Sequence, residues 1–589
     1  MTFFFLLSIF ALCFQERKYE YHDRPPNLTS LVISESPNFR QRFNSDESSC
    51  NTQGNEYTNQ DQFNFNHCSE IIFDNTIFNW ATNPRSVISI ASVEKVTIQN
   101  CQFYSCTQTS SEDLFLFTST VLETNNFTLD FSNLGNEVFS HSIFSLQNSI
   151  NNVSILSFNV TNLILGNSTS LNNGLILNAQ NYLLHFTNTI ITNVKSNDKS
   201  SLIRYISNKE SSIPLIIEKS TFNSINSAQF ELNLLSNVFI LDCAFRSFNF
   251  PFFNISTKKE IRFRNTTFSN CNVSTSIFLD LNHWHFSDAT FDNCTFDNIS
   301  GRIISINKNS ETVVFNSCQF NNNRYENIEI EGCPCINSID GHLIVNDCHF
   351  NNNSNYCSGT SFYLINTRFF ISDCVFVNNQ CKFNNESYGG SIYIFNSDSS
   401  IERNEINNCS FINNFCDNSG GSLYLNCTKT IINIENCYFN NCSSLKHGGA
   451  LTSNNQLDLY LVNCTFKKCS SNLGGALYIS ENDSSQQFII DCVFLLNSNG
   501  GPSVYSLSNH ISLSNSTFIN NSLFIQTSNN SPIIEGCYFL NVTTIYIECE
   551  TTFVMSNCTF DKSIFIIDAS SIVTNFSIFD NCTFNNIQN

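Results

Sequence analysis

Cysteine is the residue in this sequence best able to do chemistry. There are 27 in 589 residues, and Cys13 falls in an N-terminal apolar run. The remaining even count suits disulfide bonding in an exported chain. No Cys-x2-Cys pair recurs and the ten His do not sit at ligand spacing beside the cysteines, so no zinc or other metal centre is expected. Five close pairs would join a strand to its following loop: Cys101/Cys106, Cys374/Cys381, Cys409/Cys416, Cys437/Cys442 and Cys464/Cys469. Cys333 and Cys335 flank Pro334 in a further candidate for bridging. Most other cysteines should point inward as reduced thiols packed beside Phe.

Carboxylates are the second possibility. Asp347 and Asp373 precede equivalent cysteines in neighbouring repeats, so they could stack as a catalytic or Ca2+-binding pair, or serve only as bend residues. Asp340-Gly341-His342 and His447-Gly448-Gly449 resemble glycosidase-type turns, but each stands alone. The residues between Cys and Phe in the repeat described below include Gln319, His349, Val375, Ser410, Tyr438 and Thr465, and none is Asp, Glu, Lys or Arg. That face is not expected to do acid–base work. No cofactor is implied.

Asn supplies a third chemistry. Sequons are abundant, as at Asn126, Asn265, Asn408, Asn463 and Asn557. With 92 Asn in the chain, their number is close to chance, and modification depends on secretion through an ER-like route. Net charge is -21, from 28 Lys+Arg against 49 Asp+Glu. Scattered bases in so acidic a chain argue against nucleic acid, which needs clustered cations. The 58 Phe and 41% hydrophobic content exclude a solvated coil. So much Asn disfavours helical bundles.

The elements that must position these residues come from a repeat. Cys-x-Phe recurs at Phe103, Phe245, Phe296, Phe320, Phe350, Phe376, Phe411, Phe439, Phe466, Phe494, Phe539, Phe560 and Phe584. Most steps are 21 to 30 residues, a period that marks a solenoid. An alternating apolar segment precedes each motif, as in Leu459-Tyr460-Leu461, followed by an Asn or Asp such as Asn436, Asn463 or Asp491. Alternation means strand, and residues two apart share one face. Asn and Asp accept left-handed backbone and belong at bends. Short strands separated by bends predict an all-β fold, a right-handed parallel β-helix of about 18 to 20 coils stacked at ~4.8 Å, its interior a column of Phe.

A second motif tracks the first: Gly389-Gly390-Ser391, Gly420-Gly421-Ser422, Gly448-Gly449-Ala450 and Gly474-Gly475-Ala476. Paired glycines permit positive φ and close backbone approach at a sharp corner. Gly-Gly-Ala-type corners with Phe-x-x-Asn (Phe411 to Asn414, Phe494 to Asn497) across residues 375–525 resemble the polymorphic outer membrane protein repeats of bacterial autotransporter passengers and similar protist surface proteins. The resemblance implies a right-handed β-helix serving as a surface adhesin. The bacterial members end in a membrane barrel, and nothing barrel-like follows here.

Residues 1–15 are expected to be a secretory signal, since the apolar run is too short to span a bilayer. Residues 16–65 are the expected N-terminal cap and 66–589 the β-helix. No apolar stretch reaches membrane-spanning length, and uncapped coil edges would favour end-to-end self-association. The resulting expectation is a secreted or cell-surface, non-catalytic rod that binds extracellular glycans or host-surface proteins. The alternative is a polysaccharide lyase or glycoside hydrolase on a pectate-lyase-like β-helix.

Overall fold

The computed structural model describes residues 50–586 outside a set of connecting segments, chiefly 54–62, 80–87, 105–114, 131–143, 148–155, 167–176, 208–213, 282–285, 308–311, 327–331, 383–386, 398–402, 483–484, 498–500, 550–552 and 569–577. Before residue 184 it describes side chains only at 71–75 and 96–98. The expected signal (1–15), Cys101, Cys106, Asn126 and Cys333 lie outside the described residues.

The architecture is an all-β parallel solenoid. Among the described residues one face carries 21 strands, one per coil, close to the 18 to 20 coils counted from the sequence. Parallel pairing already begins at Cys50–Gln53, which pairs with Glu70–Asp74, inside the stretch expected to be a cap. The chain forms two compact units, one of Met1–Asn272 with Phe278–Ala289 and one of Val273–Ile277 with Thr290–Asn589.

In the first unit, strands Leu215–Glu218, Val238–Leu241 and Ile261–Arg264 stack in parallel, each alternating buried with more exposed residues. Bends at Lys219, Asp242 and Asn265, with φ of 50° to 55°, turn the chain into the next face. There Phe222, Phe245 and Phe268 are register partners with ring centroids 4.9 and 5.2 Å apart. Strand Ile190–Ile206 departs from the short-strand pattern: it runs 17 residues and absorbs its extra length in register shifts near Lys195–Ile203.

One coil of the second unit shows how the sequence builds the rest. Leu457–Val462 forms a first strand whose Leu457, Leu459 and Leu461 face inward. Asn463 bends at φ 52°, Cys464 turns inward, and Thr465–Lys467 forms a second strand with Phe466 buried. Lys468 makes a second left-handed bend at φ 53°, after which Cys469 points in. The Gly474-Gly475 corner then leads to a third strand, Leu477–Asn482. Each strand hydrogen-bonds to its counterparts one coil before and after, which pairs every rung's backbone groups.

The interior is laid out in columns. Twelve Phe rings, Phe296 through Phe584 in Cys-x-Phe register, form one unbroken stack. Within it Phe411, Phe439, Phe466 and Phe494 lie 4.8 to 4.9 Å apart with planes within 5° of parallel. The expectation that Cys and Phe share the inward face holds: Cys464 and Phe466 are both fully buried.

Candidate functional site

The glycine corners set the third face. Gly389, Gly420, Gly448 and Gly474 have φ between 59° and 70°, a conformation that costs a Cβ-bearing residue dearly. Their partners Gly390, Gly421 and Gly449 have no room for a side chain, and Gly475 donates its N–H to the Pro502 carbonyl of the next coil at 2.6 Å. The tight corner fixes the register of the strand that follows, whose second residue lies on the face away from the inward Leu or Ile; in Ser522–Thr527 and Thr544–Cys549 the equivalent residue is the third. One register column there runs through Tyr363, Tyr393, Tyr424, Thr452, Tyr478, Tyr505, Phe524 and Tyr546, each the register partner of the next, with Thr452 buried.

Most of these rings stack. Centroids are 5.0 Å apart for Tyr363–Tyr393, 5.7 Å for Tyr393–Tyr424 and 5.6 Å for Tyr478–Tyr505. Tyr505–Phe524 and Phe524–Tyr546 follow at 4.4 and 4.9 Å. Near-parallel planes at coil spacing mean that ring faces are used within the column, leaving ring edges for other contacts. Tyr363 and Tyr424 are 6% exposed, while Tyr393, Tyr478, Tyr505, Phe524 and Tyr546 are half-buried. Thr452 interrupts the aromatic column, and His447 covers Tyr478 there with centroids 4.4 Å apart. Its Nδ1 lies 3.2 Å from the Ser419 hydroxyl. Amides line the flank: Asn454 donates to the Tyr424 hydroxyl at 2.6 Å, and Gln526 pairs in register with Glu548.

Burial, and secondarily the Lys446 charge, holds the His447 imidazole below its ordinary range. Burial and then Arg368 act the same way on His342. A histidine depressed on folding disfavours protonation of the native state, so the stability it supplies is full above its unfolded pKa of about 6.5 and is withdrawn as pH falls through and below that value. The urea midpoint should therefore decline on acidification below about pH 6.5, with a shallower decline in the His342→Gln/His447→Gln double variant. Parallel pH profiles for the two proteins would refute this.

The residues singled out from the sequence are distributed as follows. Asp347 and Asp373 sit at left-handed bends, φ 54° and 57°, and their carboxylates accept hydrogen bonds from the Ser317 hydroxyl at 2.8 Å and the Asn408 amide at 2.5 Å. That is the bend-ladder arrangement, in which Asp and Asn are interchangeable. Asn265, Asn408, Asn463 and Asn557 occupy the same kind of bend and are exposed. Asn265 donates to Asp242, Asn463 to Asn436, and Asn557 accepts from Asn581. Their sequon Ser or Thr falls on the outer face because Asn, the next residue (Cys, or Thr266 after Asn265) and Ser/Thr are consecutive bend, inward and outward positions.

Among the described residues from Cys243 to Cys582, no cysteine is in a disulfide. Cys374, Cys409, Cys437 and Cys464 belong to one inward column; Cys381, Cys416, Cys442 and Cys469 lie on the far side of the second strand. The close-in-sequence pairs thus stand in different columns, and thiols meet instead between coils. Burial pushes the Cys243 and Cys427 thiols up to about 12, which keeps them protonated.

Sequence reasoning missed a third ladder. Asn414 and Asn497 in Phe-x-x-Asn are fully buried; the left-handed bends are one residue earlier, at Asn413 and Leu496. Asn414 Nδ2 donates to the Phe376 carbonyl at 3.0 Å and its Oδ1 accepts the Asn379 N–H at 2.9 Å. Each amide thereby satisfies backbone groups at the second bend that the strands cannot reach. The aromatic column was also missed, although Tyr at a fixed distance after Gly-Gly was visible in three repeats, at Tyr393, Tyr424 and Tyr478.

No family model matches the chain, and no curated protein does. The family resemblance therefore rests on the short motifs alone. Among solved structures, tailspike protein 3 of bacteriophage CBA120 aligns over 88% of this chain and 56% of its own, at 9% identity and a TM-score of 0.16. A mutant of the PL6 family alginate lyase AlyGC aligns over 90% of this chain and 95% of its own, at 9% identity and a TM-score of 0.18. The chain thus spans about half of the tailspike's length. Likenesses this distant carry no conclusion about chemistry.

Proposed function

We propose that this protein is a non-catalytic, secreted or cell-surface scaffold that binds extracellular glycans through the outward aromatic column of its second unit. The observation that carries this reading is the repetition of phenolic hydroxyls and ring edges, with neighbouring amides, at the coil spacing. A hydroxyl-rich polymer presents its own repeating donors and acceptors, and a ladder of matched period lets several weak contacts act together. The net charge of -21 favours neutral over anionic glycans, since like charge opposes approach. The N-terminal apolar run and the repeat motifs support the secreted or surface part of this reading.

A glycan array followed by titration calorimetry provides the test. Truncating Tyr478 and Tyr505 together to alanine should weaken binding of a retained neutral polysaccharide at least about 10-fold, the scale of losing aromatic anchors. Replacing the outward Thr465 on the second face should leave it unchanged. Turnover of the polysaccharide, or equal affinity in the Tyr variant, would sink the reading.

A further inference from the structure

We infer that Cys381 and Cys416 form a disulfide that clips two successive coils of the second unit together. They are register partners in parallel strands Gln380–Cys381 and Phe415–Cys416. Both are fully buried, and their sulfurs lie 3.0 Å apart. A disulfide needs about 2.05 Å between sulfurs, and adjacent coils at about 4.8 Å fall within its Cα range. Closing the remaining ångström requires the two Cβ–S bonds to turn toward one another.

The surroundings make this pair exclusive. In its column the preceding coil supplies Asn355 and the following coil Ser444, so each of the two cysteines has one thiol neighbour along the column. Ser387 brackets them: the Cys416 thiol donates to its carbonyl at 3.0 Å, and its hydroxyl donates to the Cys381 carbonyl at 3.4 Å. The longer column differs. Cys374, Cys409, Cys437 and Cys464 each have cysteines in the coils on both sides, and each thiol also reaches backbone carbonyls. Cys437, for example, reaches those of Ile406 at 3.6 Å and Glu435 at 3.2 Å. No member there has a unique partner.

The step balances by thiol–disulfide exchange. Both S–H bonds are lost, one S–S bond forms, and two electrons and two protons pass to a small disulfide oxidant such as oxidised glutathione, which leaves as two thiols. Because both sulfurs are enclosed, exchange takes place while the two coils are still open, and closure then seals the bond. Its effect is to join the coil bearing the Gly389-Gly390 corner to the one bearing Gly420-Gly421, where the aromatic column passes through Tyr393 and Tyr424.

The full chain, reduced, denatured and refolded in a mixture of oxidised and reduced glutathione, should then be denatured again, alkylated and digested without reductant. The expected product is a peptide pair linking Cys381 to Cys416 that separates on reduction, with Cys409, Cys437 and Cys464 recovered alkylated. Cys381→Ser should leave Cys416 alkylated. The wild-type melting midpoint should fall on reduction, and that of Cys381→Ser/Cys416→Ser should not. Recovery of both cysteines alkylated from the wild type overturns the inference, as does linkage of Cys374 to Cys381 or Cys409 to Cys416. Peptide mapping of the wild type needs no variant to fold.

Discussion

Gly449→Ala will destabilise the second unit by more than about 4 kcal/mol, placing it among the largest effects of a single substitution. A Cβ at this position would lie 2.1 Å from the Gly475 carbonyl oxygen, 2.5 Å from the Ser470 nitrogen and 2.6 Å from the Ser470 oxygen. All three are backbone atoms of the next coil. They cannot retreat, because the Gly449 N–H is bonded to the Gly474 carbonyl at 3.0 Å and Ala450 and Leu451 share the Ala476 carbonyl, each at 3.0 Å. Opening the gap would strip these bonds and the inward packing of Leu451 and Leu477, both fully buried. In a solenoid each coil contacts chiefly its neighbours, so the damage should appear first as loss of hydrogen-exchange protection in the coils around 447–479. Protection and urea midpoint equal to the wild type would show that the corner has space the structure denies it.

Phe466→Ala should cost about 3–5 kcal/mol, the range for removing a fully buried aromatic ring. Phe466 is 0% exposed and is sandwiched between Phe439 at 4.8 Å and Phe494 at 4.9 Å. Truncation leaves a void bounded by two rings that the rigid coil spacing holds apart. Collapse around the void would need the flanking strands to bend. Phe584 supplies the internal comparison: it stacks on Phe560 at 4.9 Å but is 47% exposed. Its alanine variant should lose only about 1 kcal/mol, since little apolar area is removed from the interior. Equal costs at the two sites in denaturant titrations would contradict an inward Phe column.

These two positions were legible in the sequence because each obeys a local rule. Cys-x-Phe reads as inward-outward-inward whatever the coil contains, and paired glycines read as a corner. The Asn ladder was illegible for an equally physical reason. Asn413 and Asn414 look alike in sequence, yet one takes a left-handed bend and the other turns its amide inward to satisfy carbonyls. The preference for Asn at turns predicts the first use and hides the second. Cysteine partners were misread through proximity. Cys374 and Cys381 are seven residues apart by numbering, but winding places Cys381 against Cys416 in the next coil. The outward tyrosines could have been read from their offset after Gly-Gly, had the third strand been analysed by the same alternation as the first.

The direction of the inter-coil hydrogen bonds has a mechanical consequence. In the second unit, rung bonds such as Asn463 to Asn436 and the strand ladders all run along the stacking direction. Traction applied along that direction would load successive coils in series, so the weakest rung parts first and pays out its own length of chain before the next is strained. Such a unit would dissipate a pull by lengthening stepwise. A disulfide between two coils would set a stop partway along its extension.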